Sequence, residues 1–221
     1  LKINVHDYGA IGDGNDHSVS EWLKGGDFDR GYKSLKEIRQ DYPHVRSLDD
    51  SIEWAATQAA FNAMPDGGSI EFDAGKVYVF DKTAVVEDKS FDAYMHDATI
   101  KMAADSVFNA IRVRADDIDQ ISYVNWHGGT FDGNKDEIDW PGSDSPDTEF
   151  ILRSGNDSSV LNSDARDFRF EGDVAEHNFA AWDEHQAFGN NGLLGIQGVK
   201  DVLVEKVTLI DPISDGVVLS N

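Results

Sequence analysis

The segment EGDVAEHNFAAWDEHQAFGNNG, residues 171–192, gathers Glu171, Asp173, Glu176, His177, Asp183, Glu184 and His185 into one stretch with Trp182. Cleaving a glycosidic bond takes two carboxyl groups, one protonated to assist the leaving oxygen and one ionised as base or nucleophile, and their separation sets the stereochemical outcome. On this reading Asp183 and Glu184 are the candidate catalytic residues, Trp182 offers a ring face for a sugar, and His185 is a hydrogen-bonding neighbour. Asp215, in LIDPISDGVVLSN, is a third catalytic candidate, because an aspartate at a strand-turn-strand junction projects from a corner into a groove. With 42 acidic residues in 221, carboxylates crowd by chance as well, and a hydrated acidic face is the plainer alternative.

Two further substrate contacts are candidates. Trp140 offers a second stacking surface, and His127, before Gly128 and Gly129, is placed to orient a ligand or donate a hydrogen bond; otherwise it is a structural histidine at a strand end. The run DGNKDEID alternates oxygen-bearing side chains, which makes Asp132, Asn134 and Asp136 calcium candidates, although the EF-hand glycine and terminal Glu are out of register. Hydrolysis requires no cofactor, and calcium is the one cofactor carried forward. A zincin helix, a Gly-x-Ser-x-Gly elbow and a P-loop are absent, and the glycines of DYGAIGDG follow a Gly-x-x-Gly-x-Gly order that is not the dinucleotide fingerprint.

Charge and composition narrow the classes. The formal net charge of −23, from 42 acidic against 19 basic residues, repels a phosphate backbone, so no nucleic-acid partner is expected. No apolar run approaches the roughly 18 residues that suggest a membrane span, and no membrane partner is expected. Without cysteine the chain has neither disulfides nor thiolate chemistry. It opens at Leu1 in strand-like sequence and stops in strand-like sequence, so it is expected to be a segment of a longer chain.

The elements that must position these groups begin with a polar loop, Asp7–Ser18, in which Gly9, Gly12 and Gly14 supply positive φ. A mixed insertion follows, with a short helical piece over Leu35–Gln40 ended by Pro43. The clearest helix spans Ser51–Met64: Ile52, Ala55, Ala56, Ala59 and Ala63 recur at helical spacing, and Ser47 with Asp50 is read as its capping box. Thereafter short strands dominate, in SIEFDAG, KVYVFD, ATIKMAA, FNAIRVRA, ISYVNWHGGTF, NGLLGIQG, VKDVLVEKVTLID and DGVVLSN. A polar excursion at 132–149 interrupts them. Many short strands without helical crossovers or regular hairpins predict stacked parallel coils, with the Ser51–Met64 helix covering the exposed edge of the first.

These residues also carry a resemblance. VHDYGAIGDG, SIEWAATQAAFNA and DGGSIEFDAGKVYVF resemble the opening of the pectate-lyase-like right-handed parallel β-helix proteins: a D-x-G-A-x-G-D-G loop at Asp7–Gly14, an acidic or polar cap residue and an A-x-Q-A-A helix within Asp50–Ala63, a Gly-Gly turn at Gly67–Gly68, and a strand ending in a Pro/Ala-Gly-x-Tyr motif, here at Ala74–Tyr78. GYKSLKEIRQDYPHVRSLDDSIEWAATQAA is similar to the equivalent segment of bacteriophage tailspike depolymerases, and GGTFDGNKD resembles the family's G-x-D-G-N rung turn. The resemblance implies an all-β fold, a right-handed single-stranded parallel β-helix with an N-terminal capping α-helix, forming one domain over 1–221. Residues 1–64 would be the opening loop, insertion and capping helix, and 65–221 the rungs. It further implies a polysaccharide substrate, a homotrimeric full-length protein, and a virion-tail or extracellular location. Glycoside hydrolysis of a bacterial surface glycan is the expected activity, with a polysaccharide lyase, a uronate epimerase and a noncatalytic glycan-binding or structural virion module as alternatives. The galacturonase Asp-Asp and Gly-His-Gly pattern is absent and the calcium-lyase arrangement has no residue-by-residue match, so pectin cleavage does not transfer.

Overall fold

The structure, a computed structural model, describes residues 1–104, 106, 109–115, 120–137, 192–212 and 215–220. Strand β1 (Lys2–Asn4) leads through a 3-10 turn over Val5–Tyr8 into the glycine loop, where Gly9, Gly12 and Gly14 all have positive φ as expected. Helices α1 (Leu35–Asp41) and α2 (Ile52–Ala63) precede the strands β2 (Gly68–Glu71), β3 (Val77–Phe80), β4 (Ala84–Glu87), β5 (Phe91–Met102), β6 (Ile111–Arg114) and β7 (Ile121–Asp132). Strands β8 (Gly192–Gln197), β9 (Val199–Glu205), β10 (Thr208–Ile210) and β11 (Asp215–Ser220) complete the described chain.

The start of α2 corrects one expectation. Its N-cap is Ser51, whose Oγ accepts from the Glu53 and Trp54 amides at 3.1 and 3.3 Å. Asp50 instead accepts from the Arg46 and Ser47 amides at 2.7 and 3.1 Å, closing the turn ahead of the helix. Ser51 has the extended backbone an N-cap needs and sits next to the first helical residue, so its hydroxyl reaches the free amides first.

The protein is mainly β, and every described strand pairing is parallel. One sheet runs β1-β2-β5-β7-β10, with β3 beside the second half of β5 and β9 beside the first half of β7; the other runs β11-β8-β6-β4. The chain therefore visits the same three strand positions in the same order: β2, β3 and β4; then the two halves of β5 and β6; then the two halves of β7 and β8; then β9, β10 and β11. The corner inside each long strand needs a left-handed backbone. His96 turns β5 with φ 53, Gly128 and Gly129 turn β7 with φ 74 and 87, and Lys206 separates β9 from β10 with φ 57. A Cβ on Gly128 would lie 2.5 Å from the His96 carbonyl oxygen, so this close stacking requires glycine there.

Register turns alternation into ladders. Ile3, Ile70, Ala93, Trp126 and Val204 are aligned from strand to strand, as are Tyr78, Ile100 and Phe131, and Val86, Val113 and Ile196. The members of these ladders are buried, except that Val204 in β9 is half-buried. Small Ala93 beside large Trp126 lets successive layers interdigitate. Residues 138–191, which include most of the expected excursion, lie outside the described residues.

Candidate functional site

Because successive strand residues face opposite ways, the neighbours of the inner Ile70–Ala93–Trp126 ladder point outward. One outward row aligns Asn4, Glu71, Tyr94, His127 and Glu205, and the next aligns Lys2, Ser69, Asp92, Asn125 and Leu203. The rows join residues that are distant in the chain. Tyr94 and His127 stack with ring centroids 4.9 Å apart and planes 9° from parallel. His127 Nδ1 lies 2.9 Å from Glu205 Oε1, and Asn125 Nδ2 donates to Asp92 Oδ1 at 2.9 Å. Glu71 meets Lys2 Nζ at 2.5 Å and His96 Nε2 at 2.9 Å.

The face is polar and open: the side chains of Glu71, His127, Glu205 and His96 are 21, 25, 42 and 47% exposed. The hydrogen bond from Lys2, followed by that from His96, holds the Glu71 carboxyl below the ordinary range, and the bond from His127 does the same for Glu205. Both are therefore ionised acceptors at neutral pH, suited to receive sugar hydroxyls or act as a base, and unsuited to donate a proton to a leaving group. Burial lifts Glu53 to about 7 and Asp81 to about 6, but neither belongs to these rows, and Glu53 is sealed beneath the opening loop.

Matched against protein-family models, curated proteins and solved structures, the chain finds no counterpart. The site is read from its own geometry.

Of the residues singled out from sequence, His127 stands at the centre of this face. Asp215 opens β11, paired with Gly192. Asp183, Glu184, Trp182, His185 and Trp140 lie outside the described residues. Asp132 Oδ1 accepts from the Asn134 amide at 2.9 Å, a turn that holds the end of β7, and Asp136 is exposed in the 3-10 turn over Lys135–Glu137. Among the described residues no three of His, Cys, Asp and Glu converge as a metal would need, and no helix is long and apolar enough to cross a membrane. Sequence reading passed over Glu71, Asp92, Tyr94, His96, Asn125 and Glu205. The alternation in FDAYMH and YVNWH was the available signal, but only the strand register brings the two segments side by side.

Proposed function

We propose that this chain is a right-handed parallel β-helix whose outward rows of Tyr94, His127, Glu71, Asp92 and Glu205 bind an extended glycan, within a polysaccharide depolymerase of the phage-tailspike kind. The observation that carries the reading is the Tyr94–His127 stack flanked by ionised carboxylates on an open face of a parallel sheet. A sheet face offers a repeating ligand a repeating set of contacts, with strands spaced about 4.8 Å apart, and aromatic rings beside acceptors suit the apolar faces and hydroxyls of sugar rings. The solenoid reading is supported by the all-parallel pairing and the recurring order of three strand positions. Glycoside hydrolysis is the activity proposed, with Asp183, Glu184 and Asp215 as its candidate catalytic residues, and a homotrimer on a virion tail or outside the cell is the proposed setting.

A noncatalytic glycan-binding module is the second reading, favoured by one observation: Glu71 and Glu205 are both held ionised, which makes these two carboxyls acceptors for sugar hydroxyls and poor proton donors to a leaving group.

The test is a panel of bacterial capsules and uronate polymers incubated with the protein. New reducing ends without ultraviolet absorbance from an unsaturated product indicate hydrolysis, such absorbance indicates a lyase, and binding alone indicates the noncatalytic module. Tyr94→Ala is expected to weaken glycan binding by about tenfold, the scale of one lost aromatic contact. Asp183→Asn, Glu184→Gln and Asp215→Asn should reduce turnover while leaving binding in place. Undiminished binding by both Tyr94→Ala and His127→Ala would remove this face from the proposal.

A further inference from the structure

A second polar site lies where α2 meets β4. A cleft of about 640 Å³ opens there, its walls drawn from α2, β4, the segment before α2 and the end of β6. Its charge opposes that of the chain: against a net −23, the lining holds Arg46, Lys82, Lys89 and Arg114 with Glu87 as its carboxylate.

Two of these cations are already balanced. Arg114 pairs with Glu87 through its guanidinium; Lys82 pairs with buried Asp50 and, at 3.5 Å, with Asp81, while lying 4.9 Å from the Trp54 ring centroid. The other two carry the surplus. Lys89 donates to the Phe61 and Asn62 carbonyls at 2.9 and 3.0 Å, last-turn acceptors of α2 that offset its charge only in part and bring no carboxylate. The Arg46 guanidinium has no hydrogen bond or ion pair among the described residues and is exposed. With Asp50 and Asp81 both beside Lys82 and Glu87 on Arg114, the four cations face three carboxylates, and a surplus of one charge matches a singly charged oxyanion better than a phosphate dianion, which the field of the whole chain also opposes.

Two residues of the lining, His44 and Thr83, each carry a buried polar atom that the fold leaves unpartnered. His44 Nε2 meets the Ala55 carbonyl at 2.8 Å and is therefore the protonated nitrogen, which makes Nδ1 an acceptor; that atom is buried and unpartnered. Thr83, 1% exposed, has a buried hydroxyl oxygen in the same condition. Native folds seldom leave such groups unsatisfied, and a cleft of a few hundred Å³ is the size of a small-molecule site. We propose that this cleft binds a hydroxylated carboxylate of sugar-acid size, its charge matched by Arg46 and Lys89 and its hydroxyls by the polar groups of the wall. The inference rests on the cleft alone and stands whether or not the sheet face binds glycan.

Calorimetric titration of the full chain with gluconate, its neutral analogue sorbitol, acetate and inorganic phosphate tests it. Gluconate is expected to bind, sorbitol to show no heat, and acetate to bind at least about tenfold more weakly for want of hydroxyl contacts. Arg46→Gln should weaken gluconate about tenfold, the scale of one charge-assisted contact, and Lys89→Arg should retain binding that Lys89→Gln loses. Lys135→Gln, exposed and outside the cleft, should change nothing. Arg46 is exposed and its side chain has no partner among the described residues, so its replacement is expected to leave the fold intact even where Lys89→Gln disturbs the end of α2. Equal binding of sorbitol, tighter binding of phosphate than of gluconate, or full gluconate affinity in Arg46→Gln would overturn the proposal.

Discussion

Glu53 decides how the opening loop is held. It is fully buried, and its carboxylate accepts from the Ile11 amide at 3.0 and 3.1 Å and from the Gly12 amide at 2.8 Å. Gly12 is obligatory at that contact, since it has φ 68 and a Cβ there would come within 2.8 Å of Lys76 Cβ. The glycines thus serve a turn clasped to α2, as the sequence led us to expect. Removing the acceptor with Glu53→Ala leaves the buried Gly12 amide and the part-buried Ile11 amide unsatisfied and is expected to cost roughly 2–4 kcal/mol in chemical denaturation. Burial, outweighing the two backbone hydrogen bonds, raises the Glu53 pKa from 4.5 to about 7. Between those values the folded chain holds a proton that the unfolded chain has released, so this group makes stability fall as pH rises from about 4.5 to 7 and adds no further change above that, a total on the order of 3 kcal/mol. His17 works on the same loop and in the same direction. Burial opposes its protonation, but the hydrogen bonds to Asp13 and Glu21, both 3.0 Å, prevail and raise its pKa, so its contribution is complete below 6.5 and is lost as pH rises through the higher folded value. Melting temperatures measured from pH 4.5 to 8 should decline across this window, and Glu53→Gln should flatten the decline; an unchanged slope in that variant would refute the assignment.

At the scale of elements, α2 acts on the strands as a surrogate partner. Strand β4 is the edge of its sheet, and Gln58 treats Val85 as a neighbouring strand would: its Nε2 donates to the Val85 carbonyl at 2.8 Å and its Oε1 accepts from the Val85 amide at 2.7 Å. Trp54 Nε1 donates to the Thr83 carbonyl at 2.9 Å and Ser51 Oγ to the Val79 carbonyl at 2.6 Å. The helix thereby satisfies the edge groups that would otherwise invite another chain. Gln58→Leu keeps the bulk and loses both bonds; it is expected to destabilise by about 2 kcal/mol in urea titration, with Gln58→Glu close behind because it lacks the donor to Val85. Much of this level was legible in the sequence. The alanine spacing marked α2, its position after the loop suggested the edge it covers, and KVYVFD, FNAIRVRA and ISYVNWHGGTF all contain strands. Strand β4 and the first half of β5 were missed, because AVVE is four residues long and FDAYMHD lies among charged residues that read as turn. The outward face was missed for a different reason. Tyr94, His127 and Glu205 are brought together by parallel register, and register depends on how long each intervening loop is, which local pattern does not encode.

Across the whole molecule, the outer strands differ in what covers them among the described residues. At one end α2 and the opening loop cover the first strands. At the other, β9, β10 and β11 pair on one side only among the described residues, and Leu203, Leu209, Ile210 and Leu219 are 43, 40, 42 and 59% exposed. An unpaired parallel edge with apolar side chains is a template for association, while a net charge of −23 keeps copies apart. These two forces differ in range. Edge pairing and apolar contact act at contact distance and survive salt, whereas charge repulsion falls off over about 10 Å at 0.1 M ionic strength and about 3 Å at 1 M. The polypeptide of residues 1–221 is therefore expected to sediment mainly as a monomer at low ionic strength and to associate as sodium chloride is raised toward 1 M. Leu209→Lys combined with Leu219→Lys should suppress that association by adding like charge and removing apolar area at the edge. Gln58→Leu should add to it, by freeing Val85 at the other sheet edge. Sedimentation velocity across the salt series separates the cases: association that weakens with salt would show ion pairing between copies, and association untouched by the double lysine variant would place the contact somewhere other than the last strands.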